Sequence, residues 1–437
     1  MRHPAVVVVN TNGGDKLLRC LDALARQTRP AAELLVVDHC STDGSPEAAA
    51  GRFPRVRVLR KETNAGYGAA GNLGIRETTG DPVVLMNEDV ILEPDWLDVV
   101  ASAMAADPRV GIVGGLLLFP EGLIQHAGGF LHRPLMLADH FAYRQPADAA
   151  PTEARDVEYV TGAVIAMRRA ALAQLGGFDE GFPAYFEETD LCHRARAAGW
   201  AVRYLPNARG VHLESASYKR DSPRYYRLYH HGRVRFALKH LTPAEFLCQF
   251  VPAERGRIAN VVALEELVGL RHAFVDHSAL LVRPDGGGLA AAQPELRPAL
   301  ADALADLAQR AVATTPTGVA AAPASFAGLA SRAEVAPRPF RSAVPLIGPA
   351  IAAVRGAWNW MSTRWYLAPI LEQQNAYNRE VADALAHLDA RLAALEARAD
   401  LPAGWLAEID RDLTALARRV AAQAPPPPSP KGREGHG

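Results

Sequence analysis

A chain of 437 residues with 47 Lys and Arg against 48 Asp and Glu carries a formal charge of −1, which argues against nucleic-acid binding through a basic field. Hydrophobic residues make up 49% and charged residues 22%, ordinary globular usage that excludes wholesale disorder. The length suits about two or three domains. No apolar run approaches the roughly 20 residues of a membrane span, and the start Met1–Pro4 with five apolar residues after it lacks a signal peptide's core and cleavage site. Cys20, Cys40, Cys192 and Cys248 form no Cys-x-x-Cys pair, so neither a disulfide framework nor a zinc site is expected. The expected setting is the reducing cytoplasm.

In chain order, Ala5–Asn10 is a continuous apolar run that reads as a strand buried on both faces. Lys16–Gln27 follows with Leu17, Leu18, Leu21 and Leu24 at helical spacing. Leu34–Asp38, Val56–Leu59 and Pro82–Met86 read as further buried strands, and Pro46–Arg52, Ala69–Thr78 and Trp96–Ala106 as helices. This alternation predicts an α/β layer fold with a mostly parallel sheet. Ligands of such sheets sit at the carboxyl ends of strands, so the loops after Val9, Val37, Leu59 and Met86 are where function is sought.

Beyond about residue 240 the pattern becomes helical. Ala244–His272 and Pro294–Val312 are expected helices, separated by the flexible run Asp285–Gly288, and Ala313–Pro345 is an Ala/Pro/Ser linker. Val381, Leu385, Leu388, Leu392 and Leu395 form a short heptad stripe. Trp405, Ile409, Leu413, Leu416 and Val420 form a second apolar face. These expectations divide the chain into a catalytic domain over 1–243, a helical accessory region over 244–312, a linker over 313–345, an amphipathic helical region over 346–422 and a disordered tail over 423–437. The two stripes make the C-terminal helices candidates for homo-oligomer formation. The Trp/Tyr/Arg segment Arg355–Tyr366 is a candidate for peripheral contact with the inner face of a membrane.

Asp38 ends the second strand and is followed by Ser41-Thr42-Asp43-Gly44-Ser45. A carboxylate there can accept the imide N–H of a pyrimidine. Alone, the pattern reads equally as a turn with Ser45 capping a helix before Pro46. Gly66 to Gly71 spells G-x-G-x-x-G, but a dinucleotide fingerprint belongs to the first strand–helix turn and this is the third. Asn87-Glu88-Asp89 ends the fourth strand, where paired acids suit Mg²⁺ or Mn²⁺ carrying a diphosphate. Glu187, Glu188 and Asp190 crowd the start of an expected helix over Asp190–Ala198; mutual repulsion there can bring one carboxyl toward neutrality as a general base. His212 is a neutral imidazole able to ligate a metal.

The order of these segments resembles the family 2 inverting glycosyltransferases with the GT-A fold, particularly the rhamnosyltransferase-like branch. The resemblance covers about residues 4–240. It rests on Asp38 with Ser41–Ser45, Asn64 and Gly66, Asn72 with Gly74 and Ile75, Asn87–Asp89, Thr161–Ala163, Gly176–Glu180, Phe186–Leu191, His212 and Ser215. It implies a Rossmann-like nucleotide-sugar-binding sheet followed by an α-helical C-terminal extension with short coiled-coil-like helices. It further implies transfer, with inversion, from a dTDP- or UDP-type sugar donor, with rhamnose favoured, to a hydroxyl of a glycan or lipid-linked acceptor. By the resemblance Asp38 contacts the pyrimidine, and Thr11 and Asn12 line the nucleotide pocket. Asn64, Asn72 and Asn87 stand near the donor sugar and diphosphate, Asp89 and His212 bind the cation, and Glu188, beside Glu187, is the base. Two positions depart from the family pattern: Asn87 replaces an Asp, and Glu188 is one methylene longer than the usual Asp. A catalytically silent nucleotide-sugar-binding or scaffold protein is the alternative these departures motivate.

Overall fold

β1 (Ala5–Asn10) is buried at every residue because it runs parallel between two neighbours, β2 (Glu33–His39) and β4 (Val83–Asn87). Its side chains alternate between two cores. Val6 and Val8 pack with Leu17 and Leu21 of α1 (Asp15–Ala25) and Trp96 and Val100 of α4 (Trp96–Ala106). Val7 and Val9 pack with Ala70 of α3 (Tyr67–Arg76) and Leu191 of α6 (Glu187–Ala197). Two covered faces explain why this strand reads as an unbroken apolar run. The chain is seen in a computed structural model, which describes residues 3–64, 66–213, 222–281 and 296–313.

α2 (Ser45–Arg52) and β3 (Val56–Lys61) complete the predicted alternation. The other strands are β5 (Val90–Leu92), β6 (Val110–Leu118), β7 (Ile124–His126), β8 (Gly129–His132), β9 (Leu137–His140), β10 (Arg155–Asp156), β11 (Val164–Met167) and β12 (Ala201–His212), with α5 (Arg169–Leu175) between β11 and α6. The large sheet has the order β10-β12-β6-β11-β4-β1-β2-β3, with β5 on β12 and β7 on β6. The half from β4 to β3 is parallel, as the alternation predicts. The sheet as a whole is mixed, because β11 lies antiparallel between β4 and β6 and β12 pairs antiparallel with β5. β5 and β11 span only three and four residues, too few for a strand period to announce them.

Helix α7 (Pro223–His240) is capped by Ser222, whose Oγ accepts the Tyr225 N–H at 3.2 Å. It buries Arg233 and Arg235 with Val234 and Phe236, so no clean apolar stripe marks it. The expected single helix over Ala244–His272 is broken into α8 (Pro243–Glu245), a π turn over Phe246–Phe250, α9 (Val251–Ile258) and α10 (Leu264–Leu281). Pro252 has no N–H for the Cys248 carbonyl, and the wider turn directly precedes it. α11 (Arg297–Ala313) falls where Pro294–Val312 is expected. These helices share a core with Phe182, Phe186, Leu131 and Met136. No helix among the described residues is long and apolar enough to cross a membrane. The run Asp285–Gly288, Ser215, the linker beyond Ala313, the segment Arg355–Tyr366, the stripes Val381–Leu395 and Trp405–Val420 and the tail lie outside the described residues.

Candidate active site

The carboxyl ends of β1 and β2 are fastened to each other through Asp38. Its carboxylate is fully buried. Asn10 Nδ2 and Ser41 Oγ each donate to Oδ1 at 2.6 Å, the Ser41 N–H donates to Oδ2 at 3.2 Å, and Arg60 Nε lies 3.6 Å away. Asn12 adopts a left-handed backbone (φ 52°). Its N–H donates to Ser41 Oγ at 2.8 Å, and its Oδ1 accepts the Thr42 N–H at 2.9 Å. Ser45 is not the cap of α2. Gly44, at φ 78°, takes that position, and Ser45 Oγ donates to Asp43 Oδ1 at 2.7 Å from inside the first turn. Asn10, Asn12, Asp38 and Ser41 therefore form one hydrogen-bonded wall, with Thr11 between the two asparagines in sequence.

The G-x-G-x-x-G segment proves to be a packing device. A Cβ on Gly71 would lie 2.7 Å from Leu85, and one on Gly74 2.3 Å from Val7, so α3 approaches the sheet at glycine distance. Asn64 Oδ1 accepts the Gly66 N–H at 2.9 Å. Asn72 is buried and turned to the following loop: Nδ2 donates to Phe178 O and to Glu180 Oε1, each at 2.9 Å, and Oδ1 accepts the Phe178 N–H at 2.8 Å. With Arg76, Arg169 and Gly177 it lines a hollow of about 660 Å³ between α3 and α5.

At the end of β4 the Asn87 N–H donates to Ala163 O at 3.0 Å, joining this strand end to the Thr161–Ala163 loop. The Glu88 carboxyl is pushed up to about 7 by burial and by neighbouring Asp89, and the Thr11 N–H bonds it. Asp89 is buried, its carbonyl accepting the Leu213 N–H at 2.9 Å. The antiparallel pairing of β5 with β12 brings His212 opposite Val90, and His212 Nε2 stands 3.0 Å from Asp89 Oδ1. The other ring nitrogen, Nδ1, is 2.8 Å from Gln125 Oε1. No group of three or more His, Cys, Asp or Glu side chains suited to a metal occurs among the described residues. One carboxylate and one imidazole at the end of a strand fit a hard divalent ion that keeps phosphate and water oxygens as its other ligands.

The acid pair opens α6 after two left-handed residues, Tyr185 (φ 62°) and Phe186 (φ 69°). Such conformations persist only where packing enforces them. Here α7 enforces them: a Cβ on Gly232 would lie 2.6 Å from Tyr185 O, so only glycine permits the approach. Burial pushes the Glu188 carboxyl up to about 7, against the N–H groups of Glu188, Thr189 and Gly162 that bond it. Burial, and then Glu188, raise Glu187 well above the usual carboxylate range. Oε2 of each is buried without a hydrogen-bond partner among the described residues. Tyr67 Oη donates to Gly162 O, and the fields of Glu187, Glu188 and Glu88 all reach this phenol. Asp190 is different. Although burial opposes it, His240, Arg194 and Lys239 at 2.7–2.8 Å hold its carboxyl well below the usual range, making it a structural anchor of α6 on α7.

The structure thus groups Thr11, Asn12 and Asp38, pairs Asp89 with His212, and sets Glu187 and Glu188 beside Gly162 and Tyr67. It turns Asn72 toward Phe178 and Glu180. Tyr67 and Gln125 are not singled out by the sequence, which marks Glu88 only as the neighbour that pairs with Asp89. Glu88 and Tyr67 lie within segments it marks, whereas Gln125 sits on a three-residue strand with no local signal.

A mixed α/β sheet thus carries an acid–imidazole pair where β12 meets the loop after β4, and an acid pair at the start of α6. A sequence profile described as Glycosyl transferase family 2 matches residues 5–176. The chain is 33% identical over 249 residues to N-acetylglucosaminyl-diphospho-decaprenol L-rhamnosyltransferase of Mycobacterium tuberculosis, spanning 52% of this chain and 80% of that protein. O-antigen biosynthesis protein RfbC of Myxococcus xanthus is 33% identical over 228 residues, 50% of this chain and 18% of that one. Among solved structures, S. aureus TarS 1–349 aligns at 18% identity with a TM-score of 0.45, covering 72% of this chain and 91% of that one. The chain belongs to glycosyl transferase family 2, within its rhamnosyltransferase-like branch. It is a glycosyltransferase, and its sheet with C-terminal helices is consistent with the GT-A fold.

Proposed function

We propose that this chain moves a sugar, with inversion, from a nucleoside-diphosphate donor to a hydroxyl of a glycan or lipid-linked acceptor, using Glu188 as base and Asp89 with His212 as a divalent-cation site. The observation that carries the reading is Glu188: a buried carboxyl brought to about 7, with one oxygen unpartnered and the other side of the group steadied by backbone N–H donors. A base with that value is ionised in good part at neutral pH and still accepts a proton readily. Burial and Glu188 raise the neighbouring Glu187 as well, and its proposed part is to hydrogen-bond rather than to take the proton. The acceptor hydroxyl gives its proton to Glu188 as its oxygen attacks the anomeric carbon, and the bond to the diphosphate oxygen breaks in the same displacement. One displacement inverts that carbon. When bound at Asp89 and His212, Mg²⁺ or Mn²⁺ supplies positive charge for the leaving diphosphate.

Thr11, Asn12 and the Ser41–Ser45 turn would receive the nucleotide, while Asp38, fully buried, shapes that turn from beneath instead of reaching the pyrimidine itself. Asn64 and Asn87 would border the sugar and diphosphate, and Asn72 would act through the Gly177–Glu180 turn it holds. Rhamnose on a dTDP-type donor, and a lipid-linked acceptor presented at a membrane face for cell-surface polysaccharide synthesis, are the specific reading. It is supported by the name of the mycobacterial relative. Residues 244–312 are proposed as an accessory buttress, since their helices share a core with Phe182 and Phe186 ahead of the acid pair. The test is a panel of UDP-, GDP- and dTDP-sugars incubated with the full chain and Mn²⁺ or Mg²⁺. Metal-dependent nucleoside-diphosphate release, greatest with dTDP-rhamnose, is expected. Donor binding with no release from any sugar, even with acceptor present, would support a silent binding protein instead.

A further inference from the structure

We infer that Gln125 is a positioning residue for the cation site: its carboxamide oxygen fixes the tautomer and ring orientation of His212, so that Nε2 offers a lone pair beside Asp89. The inference rests on the reading of Asp89 and His212 as cation ligands given above.

His212 has two ring nitrogens, and only Nε2 faces Asp89, at 3.0 Å. In a neutral imidazole one nitrogen carries the proton and the other the lone pair. A carboxylate beside Nε2 favours the proton on that nitrogen, since N–H bonds a carboxylate well. That tautomer would bar a cation from the ring. The competing claim on the proton comes from Gln125, whose Oε1 lies 2.8 Å from Nδ1. An amide oxygen can only accept, so this contact requires the proton on Nδ1 and frees Nε2. Metal-bound histidines commonly donate their second ring N–H to such an acceptor, which fixes the ring and raises its basicity.

Gln125 is well placed to act as a fixed stop. It is buried, in the middle of β7, and that strand is held from both sides. β6 pairs with it at Leu117 and Leu118. On the other side the Ile124 N–H donates to Gln145 O at 2.8 Å and the Arg144 N–H to Ile124 O at 2.7 Å. The next residue, His126, is fully buried and carries the same strand's influence to the base side: its Nε2 accepts the Thr161 N–H at 3.2 Å, one residue before Gly162. A short strand with no mark in the sequence thereby references both halves of the site.

The experiment measures Mn²⁺ binding to the full chain by water-proton relaxation enhancement, with Mn²⁺ alone as the probe, for the native protein, Gln125→Met, Gln125→Glu and Asp89→Asn. Gln125→Met keeps the volume and removes the acceptor, and it should weaken Mn²⁺ binding about 10–100-fold. Gln125→Glu can only accept at Nδ1, so its affinity should equal or exceed that of the native chain. Native-like affinity in a folded Gln125→Met protein would overturn the inference while leaving the cation site intact. Loss of affinity in a folded Gln125→Glu protein would overturn it as well, because the amide would then act through its N–H₂. Failure of the native chain to bind Mn²⁺, or binding unchanged in Asp89→Asn, would overturn the cation reading itself and this inference with it.

Discussion

Glu254→Gln should destabilise the protein by about 3–5 kcal/mol at neutral pH, the range for removing one partner of a buried ion pair. Arg233 and Glu254 are both fully buried. Arg233 Nη1 and Nη2 reach the two carboxylate oxygens at 3.0 and 2.5 Å, and Arg257 adds contacts at 3.2 and 2.9 Å. Burial alone would raise the Glu254 carboxyl, yet Arg233 and Arg257 bring it down to about 2 from an ordinary 4.5. That lowering corresponds to about 3 kcal/mol of stability, in line with the ion-pair figure. Because the folded value lies below the unfolded one, this stability is complete above about pH 4.5 and disappears as pH falls through about 2. Gln mimics the protonated acid, so the gap between native and variant proteins should close over that window. Thermal unfolding of the full chain should show a melting temperature roughly 5–10 °C lower for the variant at pH 7, with a smaller gap at pH 3. Equal melting temperatures at pH 7, or a gap unchanged between pH 7 and pH 3, would show that the Glu254 charge does not stabilise the fold.

Asp89→Asn should abolish Mn²⁺ binding and metal-stimulated transfer with the melting temperature essentially unchanged, because the acid sits in a strand-end loop; native transfer rates in the variant would contradict this. Gly232→Ala places a methyl 2.6 Å from Tyr185 O and should cost about 1–3 kcal/mol. It should also lower kcat at temperatures where the variant is fully folded, since α7 holds Tyr185 and Phe186 in the conformation that aims the acid pair. An unaltered kcat in the folded variant would show that α7 does not position the acids.

The parallel half of the sheet was legible in the sequence because strands covered on both faces must be apolar throughout, as at Ala5–Asn10 and Val83–Met86. β10 and β11 were not, since they span two and four residues and pair with strands distant in the chain, and β7 has only three residues. α7 escaped because Arg233 and Arg235 are buried where apolar residues are expected, their charges answered by Glu254 and Asp179. Single residues announced the candidate site: Asp89 and His212 near strand ends and Glu188 in the first turn of α6. Their supports did not announce themselves. Gln125 meets His212 across 87 residues, and Gly232 meets Tyr185 only through the helix crossing. Sequence order likewise marked Asn72, but its hydrogen bonds to Phe178 and Glu180 depend on the fold of a turn more than 100 residues away.

Which of two adjacent acids takes the acceptor proton is tested most directly by the pH dependence of transfer by the native chain, Glu188→Gln and Glu187→Gln under identical donor, acceptor and Mn²⁺ concentrations. With Glu188 brought to about 7 by burial, kcat/KM of the native enzyme should rise with pH through about 7 and then level. Glu188→Gln should lose about 10²–10⁴-fold in rate, with the rise near pH 7 abolished in what remains and donor affinity little changed. Glu187→Gln should keep both the rise and a substantial rate. An inactive Glu187→Gln beside a near-native Glu188→Gln that still titrates near pH 7 would contradict the account and move the base one residue toward the N-terminus.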